Sequence, residues 1–173
     1  GIDYKQQGNL AKAIEFYHKS LRLKEDIGHK RGVSSTLNNI GNIYRDQNEF
    51  SKAREYYNRA LKINTQLKDT IALALSYNYL GNMESDEGSL SNDTDKMAAS
   101  FNWFYKGLDL LQDEPNTKWE AQLLNNIGIT HYEMGRPKRA IKFLEKSLAL
   151  KRATGNDRAL GLTINNIGNA YFE

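Results

Sequence analysis

Three histidines, His18, His29 and His131, are the only imidazoles in the chain, and none has another histidine three or four residues away. A zinc site needs such spacing or thiolates. The chain has no cysteine, so a thiolate metal site, a disulfide framework and a cysteine nucleophile are all excluded. The phosphate-cradling G-x-x-x-x-G-K-[ST], the dinucleotide-binding G-x-G-x-x-G, and the H-E-x-x-H and G-x-S-x-G motifs are absent too. Asn92-Asp93-Thr94-Asp95 starts like a calcium loop but lacks the glycine and the closing glutamate. It reads as a solvated loop with a helix N-cap. No catalytic residue, cofactor site or metal site is expected, and the chain is read as a non-enzyme.

What remains for chemistry is amide and carboxylate. Asn38 and Asn42, Asn78 and Asn82, and Asn165 and Asn169 lie four apart, each pair on one helix face; Asn125 stands alone because Ile129 occupies its partner position. Asparagine is a mediocre mid-helix residue, since its amide competes for backbone hydrogen bonds, so its recurrence needs a cause. Two causes are open. The amides bridge neighbouring helices, or they offer donor and acceptor to the backbone of a bound peptide. Asn39, Asn126 and Asn166, one residue on, are assigned mainly to structure. An acidic row, Asp46, Asp86, Glu133 and Glu173, follows toward the ends of the same helices. Acidic groups there oppose the helix dipole, so the row does not serve helix stability. It is either a solvated surface or a feature that favours a partner segment carrying Lys or Arg. Tyr132 and Phe172 lie beside its last two members as apolar anchors.

These residues recur because the chain repeats itself. Asn-Ile-Gly or a near relative ends at Gly41, Gly81, Gly128 and Gly168, and with Gly1 the glycine spacings are 40, 40, 47 and 40. Ala13, Ala53, Ser100 and Ala140 form a second series, and Ser20, Ala60, Gly107 and Ser147 a third. Every interval from the third marker to the next glycine is 21 residues, so the seven extra residues of one repeat fall earlier, at about Ser91 to Met97. They are expected to bulge as a surface loop, because lengthening such a loop costs little entropy. Each unit reads as two helices, with second helices expected over Leu10 to Ile27, Phe50 to Leu67 and Pro137 to Ala153. Glycine inside the first helix costs about 0.5–1 kcal/mol against alanine, so its recurrence implies close backbone approach. The aromatic stripe is read as core packing.

Leu37-x2-Ile40-Gly41-x2-Tyr44, then Ala53-x3-Tyr57, then Ala60, resembles the tetratricopeptide repeat. The resemblance covers essentially the whole chain, though the period is 40 rather than the usual 34, and Glu84 and His131 stand where tyrosine is usual. It implies an all-α, right-handed superhelical array of antiparallel helix pairs. The units fall at about 1–28 (partial), 29–69, 70–115 with the insertion at 91–97, 116–156 and 157–173 (partial). The linkers Ile27-Gly28-His29-Lys30 and Thr154-Gly155-Asn156-Asp157 look like those of Pins-type polarity adaptors and of arrays attached to bacterial sensor kinases and transcription regulators. In such families the first helices line an inner groove that holds a peptide or partner helix, which favours the ligand reading of the asparagines. The subclass that clamps a terminal carboxylate uses Lys or Arg where this chain has Asn38, Asn78, Asn125 and Asn165. The resemblance thus implies a scaffold that binds a protein segment in a concave groove, with a sensory domain of a bacterial signalling protein as the alternative.

Composition agrees with a folded array. The 173 residues are 39% hydrophobic and 26% charged, with 24 basic and 21 acidic residues giving a net charge of +3. That surplus forms no basic stripe, so nucleic acid is not an expected partner, and no stretch has the length of a membrane helix. Absence of cysteine fits a cytoplasmic protein and is compatible with a periplasmic one. Gly1 in place of an initiator methionine points to a piece of a longer chain. Both ends interrupt a repeat, so Ile164, Ile167 and Tyr171 are expected to be partly uncovered, with weak self-association through them.

Overall fold

The structure, a computed structural model, describes residues 9–113, 116–154 and 157–172. Gly1, the Gly155-Asn156 part of the second linker and Glu173 lie outside the described residues. Among the described residues there are eight α-helices and no strand: α1 (Leu10–Asp26), α2 (Lys30–Asp46), α3 (Phe50–Leu67), α4 (Thr70–Ser91), α5 (Thr94–Asp113), α6 (Thr117–Glu133), α7 (Pro137–Ala153) and α8 (Asp157–Phe172). The chain forms two compact bodies, Gly1–Tyr79 and Leu80–Glu173.

One turn geometry joins most of the helices. Gly28, Asn48, Lys68, Asn92 and Gly135 have φ of 68°, 61°, 53°, 52° and 67°. At each, the N–H of the following residue returns to a carbonyl five residues back, as in Glu49 N–H to Tyr44 O at 2.8 Å and Arg136 N–H to His131 O at 2.9 Å. This is the Schellman closure, which satisfies helix-end carbonyls and reverses the chain in two or three residues. Glycine meets the positive φ without a Cβ clash, and asparagine tolerates it.

In the first body, Ala13, Tyr17, Leu21, Val33, Leu37, Ile40, Ile43 and Ala60 form the buried core, with Tyr44, Tyr56 and Ile63 packed around it. Tyr57 is fully buried; a Cβ added to Gly41 would sit 2.5 Å from its ring. Its hydroxyl donates to Asn42 Oδ1 at 2.8 Å, and its ring stacks on Tyr79 with centroids 5.4 Å apart. The second body repeats the device. Phe104 fills the seat at Gly81, where a Cβ would be 2.4 Å away, and Leu144 fills that at Gly128, at 2.6 Å. The helix-interior glycines are therefore seats for one large side chain of the paired helix.

The insertion is not a bulging loop. Compared with the other pairs, α4 runs five residues further past its glycine, α5 starts three residues earlier before its small marker, and the turn between them is one residue shorter. The seven extra residues are thereby absorbed as helix. The lengthened ends pack: Met97 is 4% exposed, and its backbone N lies 2.7 Å from a Cβ built on Gly88. Only the N-cap expectation survives at this site, with Asp93 Oδ1 accepting from Asp95 N and Lys96 N, each at 3.0 Å.

The seats set opposite signs for one substitution. Gly81→Ala drives a methyl into the buried Phe104 ring, an overpacking cost of about 1–3 kcal/mol against a helix-propensity gain of about 1. A net loss of up to about 2 kcal/mol is expected. Gly168 has nothing within 4 Å of an added Cβ, so Gly168→Ala is expected to stabilise by up to about 1 kcal/mol. Denaturant titrations of the two variants check the pair; the same sign for both would refute the seat.

Candidate functional site

A polar strut joins the second helix of one pair to the first helix of the next at three of the four such junctions among the described residues. In the first body, Lys24 Nζ donates to Thr36 Oγ1 at 2.7 Å, and Thr36 donates back to Gly32 O at 2.9 Å. One repeat on, Asn64 Nδ2 reaches Ser76 Oγ at 2.9 Å and Ala72 O at 3.1 Å. The next repeat substitutes apolar Leu111 and Leu123, both buried. The last uses Lys151 Nζ to Thr163 Oγ1 at 2.7 Å. Here the strut is a triad, since Asn125 Oδ1 accepts from Thr163 at 3.0 Å and from Lys151 at 3.4 Å. Lys151 is 7% exposed, and burial pulls its pKa below the ordinary lysine value. The strut is absent from the sequence reading. Its signal was there: Lys24 with Thr36 and Lys151 with Thr163 are both 12 apart and in register with the markers.

The asparagines do not behave as one ladder. Asn38, Asn78 and Asn125 are buried, at 4%, 6% and 6% exposure. Asn42 and Asn82 are half-buried, and Asn165 and Asn169 are exposed. Of the two causes left open, bridging between helices is the one seen at Asn125, which is tied to α7 and α8. At Asn38 the outcome differs again. Its Oδ1 is buried with no hydrogen-bond donor, beside a cavity of about 160 Å³ that it lines with Ser34, Asn64, Asp69, Leu75 and Tyr79.

In the second body a cleft of about 180 Å³ is lined by Ile129, Tyr132, Glu133, Leu144, Asn166 and Asn169. It brings together three residues singled out from sequence, Tyr132, Glu133 and Asn169. Ser85 Oγ lies 3.4 Å from Glu133 Oε2 and 2.8 Å from Thr130 Oγ1. The Glu133 side chain is exposed overall; partial desolvation of its carboxyl and the nearby Asp86 charge raise its pKa, against the Ser85 hydrogen bond. The rest of the acidic row is dispersed. Asp86 is exposed on α4, and Asp46 is exposed with Arg45 Nη2 3.5 Å away. Phe172 is 94% exposed, while Ile164 and Tyr171 are exposed at 52% and 66% and Ile167 is half-buried.

His131 occupies a repeat core position at 6% exposure. Its ring lies between those of Phe101 and Phe143, at centroid distances of 4.5 and 5.4 Å. Burial, then the Arg136 and Arg139 charges, lower its pKa from 6.5. The unfolded chain takes up this proton first as pH falls, so stability contributed by neutral His131 is present above pH 6.5 and is lost as pH drops below it. His131→Phe is expected to remove that part of the acid sensitivity, read as melting temperature against pH. A second expectation concerns the amides. Asn125→Ala leaves the buried Lys151 and Thr163 short of an acceptor and should cost about 1–3 kcal/mol. Exposed Asn169→Ala should be neutral or gain up to about 0.7. Equal effects in thermal melts would dissolve the distinction between strut and surface amide.

Comparison with curated proteins finds no match. Among solved structures, BtubC (BKLC) from P. vanneervenii superposes with a TM-score of 0.74 at 19% identity, over 97% of this chain and 67% of that one. A signal transduction ATPase with numerous domains and a tetratricopeptide repeat sensor, from Pyrococcus horikoshii, gives 0.76 at 17% identity over 99% of this chain and 25% of that one. This chain thus spans two-thirds of the first and a quarter of the second. Among the described residues no helix is long and apolar enough to cross a membrane. The tetratricopeptide repeat family model matches residues 1–66 and 79–153. With its glycine seats, paired helices and repeated turns, the chain belongs to the tetratricopeptide repeat family, an all-α repeat solenoid class of non-catalytic scaffolds that typically mediate protein–protein interaction.

Proposed function

We propose that this chain is a non-catalytic scaffold that holds a basic segment of a partner protein, gripped in the second body by the cleft of Tyr132, Glu133 and Asn169. The single observation that carries this reading is the state of Glu133. Its exposed side chain lines the cleft, no cation among the described residues lies within ion-pair distance of it, and partial desolvation and Asp86 together disfavour its charge. A Lys or Arg arriving there relieves that cost, because an opposite charge within about 4–6 Å favours the ionised form. Tyr132 and Ile129 supply apolar lining, and Asn169 supplies donor and acceptor for a peptide backbone.

A sensory role is the second reading, supported by the likeness to the Pyrococcus horikoshii protein, which bears a tetratricopeptide repeat sensor. In that case partner or ligand binding reports to another segment of the same gene product. A kinase or DNA-binding segment in the gene favours it.

The test is capture from lysate followed by mass spectrometry, run for the parent and for Glu133→Gln. Recovered partners should share a Lys- or Arg-rich segment, and a synthetic peptide of that segment should bind several-fold more weakly to Glu133→Gln and more weakly at high salt. Unchanged affinity of the peptide for Glu133→Gln would overturn the cleft as the grip.

A further inference from the structure

In the second body the buried Asn125 Oδ1 is served by the ammonium of Lys151 and the hydroxyl of Thr163. The same repeat positions in the first body hold Asn38, Asn64 and Ser76. Asn64 is two carbons shorter than lysine, and its amide is used up on Ser76 Oγ and Ala72 O. The consequence is direct: Asn38 Oδ1 is buried without a donor, and a cavity of about 160 Å³ opens beside it. That is far beyond the ~30 Å³ share of one water. A buried acceptor left unpaired costs about 1–3 kcal/mol, so a donor supplied from outside the chain is favoured at this point.

We propose that this cavity is a binding site for a primary alkylammonium group, the side chain of a lysine presented by a protein partner, which takes the place that Lys151 fills internally in the later repeat. The walls suit it. Ala72, Leu75 and Tyr79 offer apolar surface to an aliphatic stem, while Ser34 and Ser35 line the cavity with hydroxyls and the buried Asn38 oxygen lies beside it. The terminal torsion of asparagine is broad, and binding requires the Asn38 amide to turn its buried oxygen toward the entering donor. Asp69 adds a carboxylate at the mouth, where Arg31 Nε already lies 3.0 Å from its Oδ2. Arg31 is 74% exposed and neutralises Asp69, so the selectivity rests on the orphan amide oxygen rather than on net charge. The site shares with the proposed function only the premise of a protein partner, and it lies wholly within the first body.

The experiment is an NMR titration of the whole chain with Nα-acetyl-lysine methylamide, followed at the Asn38 side-chain amide and the Ala72 backbone amide. The norleucine analogue, identical but without the ammonium, and putrescine are run alongside. A saturable shift at both positions with the lysine derivative and none with norleucine is expected. Binding by putrescine alone would overturn a lysine source. Asn64→Lys supplies the ammonium from within, and should abolish the shift and raise the melting temperature. Asn38→Ala, which removes the acceptor without burdening the fold, should abolish the Ala72 shift. An equal shift with norleucine, no saturation in the parent, or an Ala72 shift surviving in Asn38→Ala would overturn the proposal. The lysate capture is scored separately at Glu133, so failure here leaves the proposed function standing, and the reverse.

Discussion

Two helix backbones can approach closely only where one of them gives up its Cβ. At Gly41, Gly81 and Gly128 that sacrifice admits Tyr57, Phe104 and Leu144, and any Cβ there would stand within 2.4–2.6 Å of the entering side chain. All three entering residues are fully buried. The packing gain of burying one large side chain, about 1.5–3 kcal/mol, exceeds the about 0.5–1 kcal/mol that glycine costs inside a helix. Every other feature of a repeat is arranged around that seat. Small Ala53, Ser100 and Ala140 lie one turn before the entering residue, and the Schellman turns deliver the second helix to it in register.

Polar struts answer a different need. Where one helix pair meets the next, the contact is made by Lys24 with Thr36, by Asn64 with Ser76 and by Lys151 with Thr163, while the equivalent positions of the remaining junction hold the buried Leu111 and Leu123. The same junction is thus served by a charged, a neutral polar or an apolar pair. A fully satisfied polar pair and a well-packed apolar one are near-equivalent in stability, and a half-satisfied one is worse than either. That asymmetry is why the Asn64 version, which leaves Asn38 Oδ1 without a donor, stands out as the chemically open member of the series.

How the chain accommodates seven additional residues follows from helical geometry. Residues added near a tight turn extend both arms of an antiparallel hairpin, and the added turns then carry their own packing. Met97 beneath Gly88 is that packing. A surface loop of equal length would have cost little entropy, so the loop expectation was sound on entropy alone. It lacked the contact between Gly88 and Met97, which only the folded hairpin creates.

Read alone, the order of residues specifies the repeat register, the all-α class, the family, and the approximate spans of the helices Phe50–Leu67 and Pro137–Ala153. Those rest on local periodicity and on markers recurring at fixed intervals, information carried within about one helical hairpin. The role of the asparagines was legible only as a pair of alternatives. Tertiary structure decided it separately for each one, because the deciding partners lie far along the chain: Lys151 and Thr163 are 26 and 38 residues from Asn125. The same holds for the cleft that joins Tyr132 and Glu133 to Asn169. Repetition in sequence makes positions equivalent, but the polar demand of a buried amide is set by whichever side chain the neighbouring repeat happens to supply.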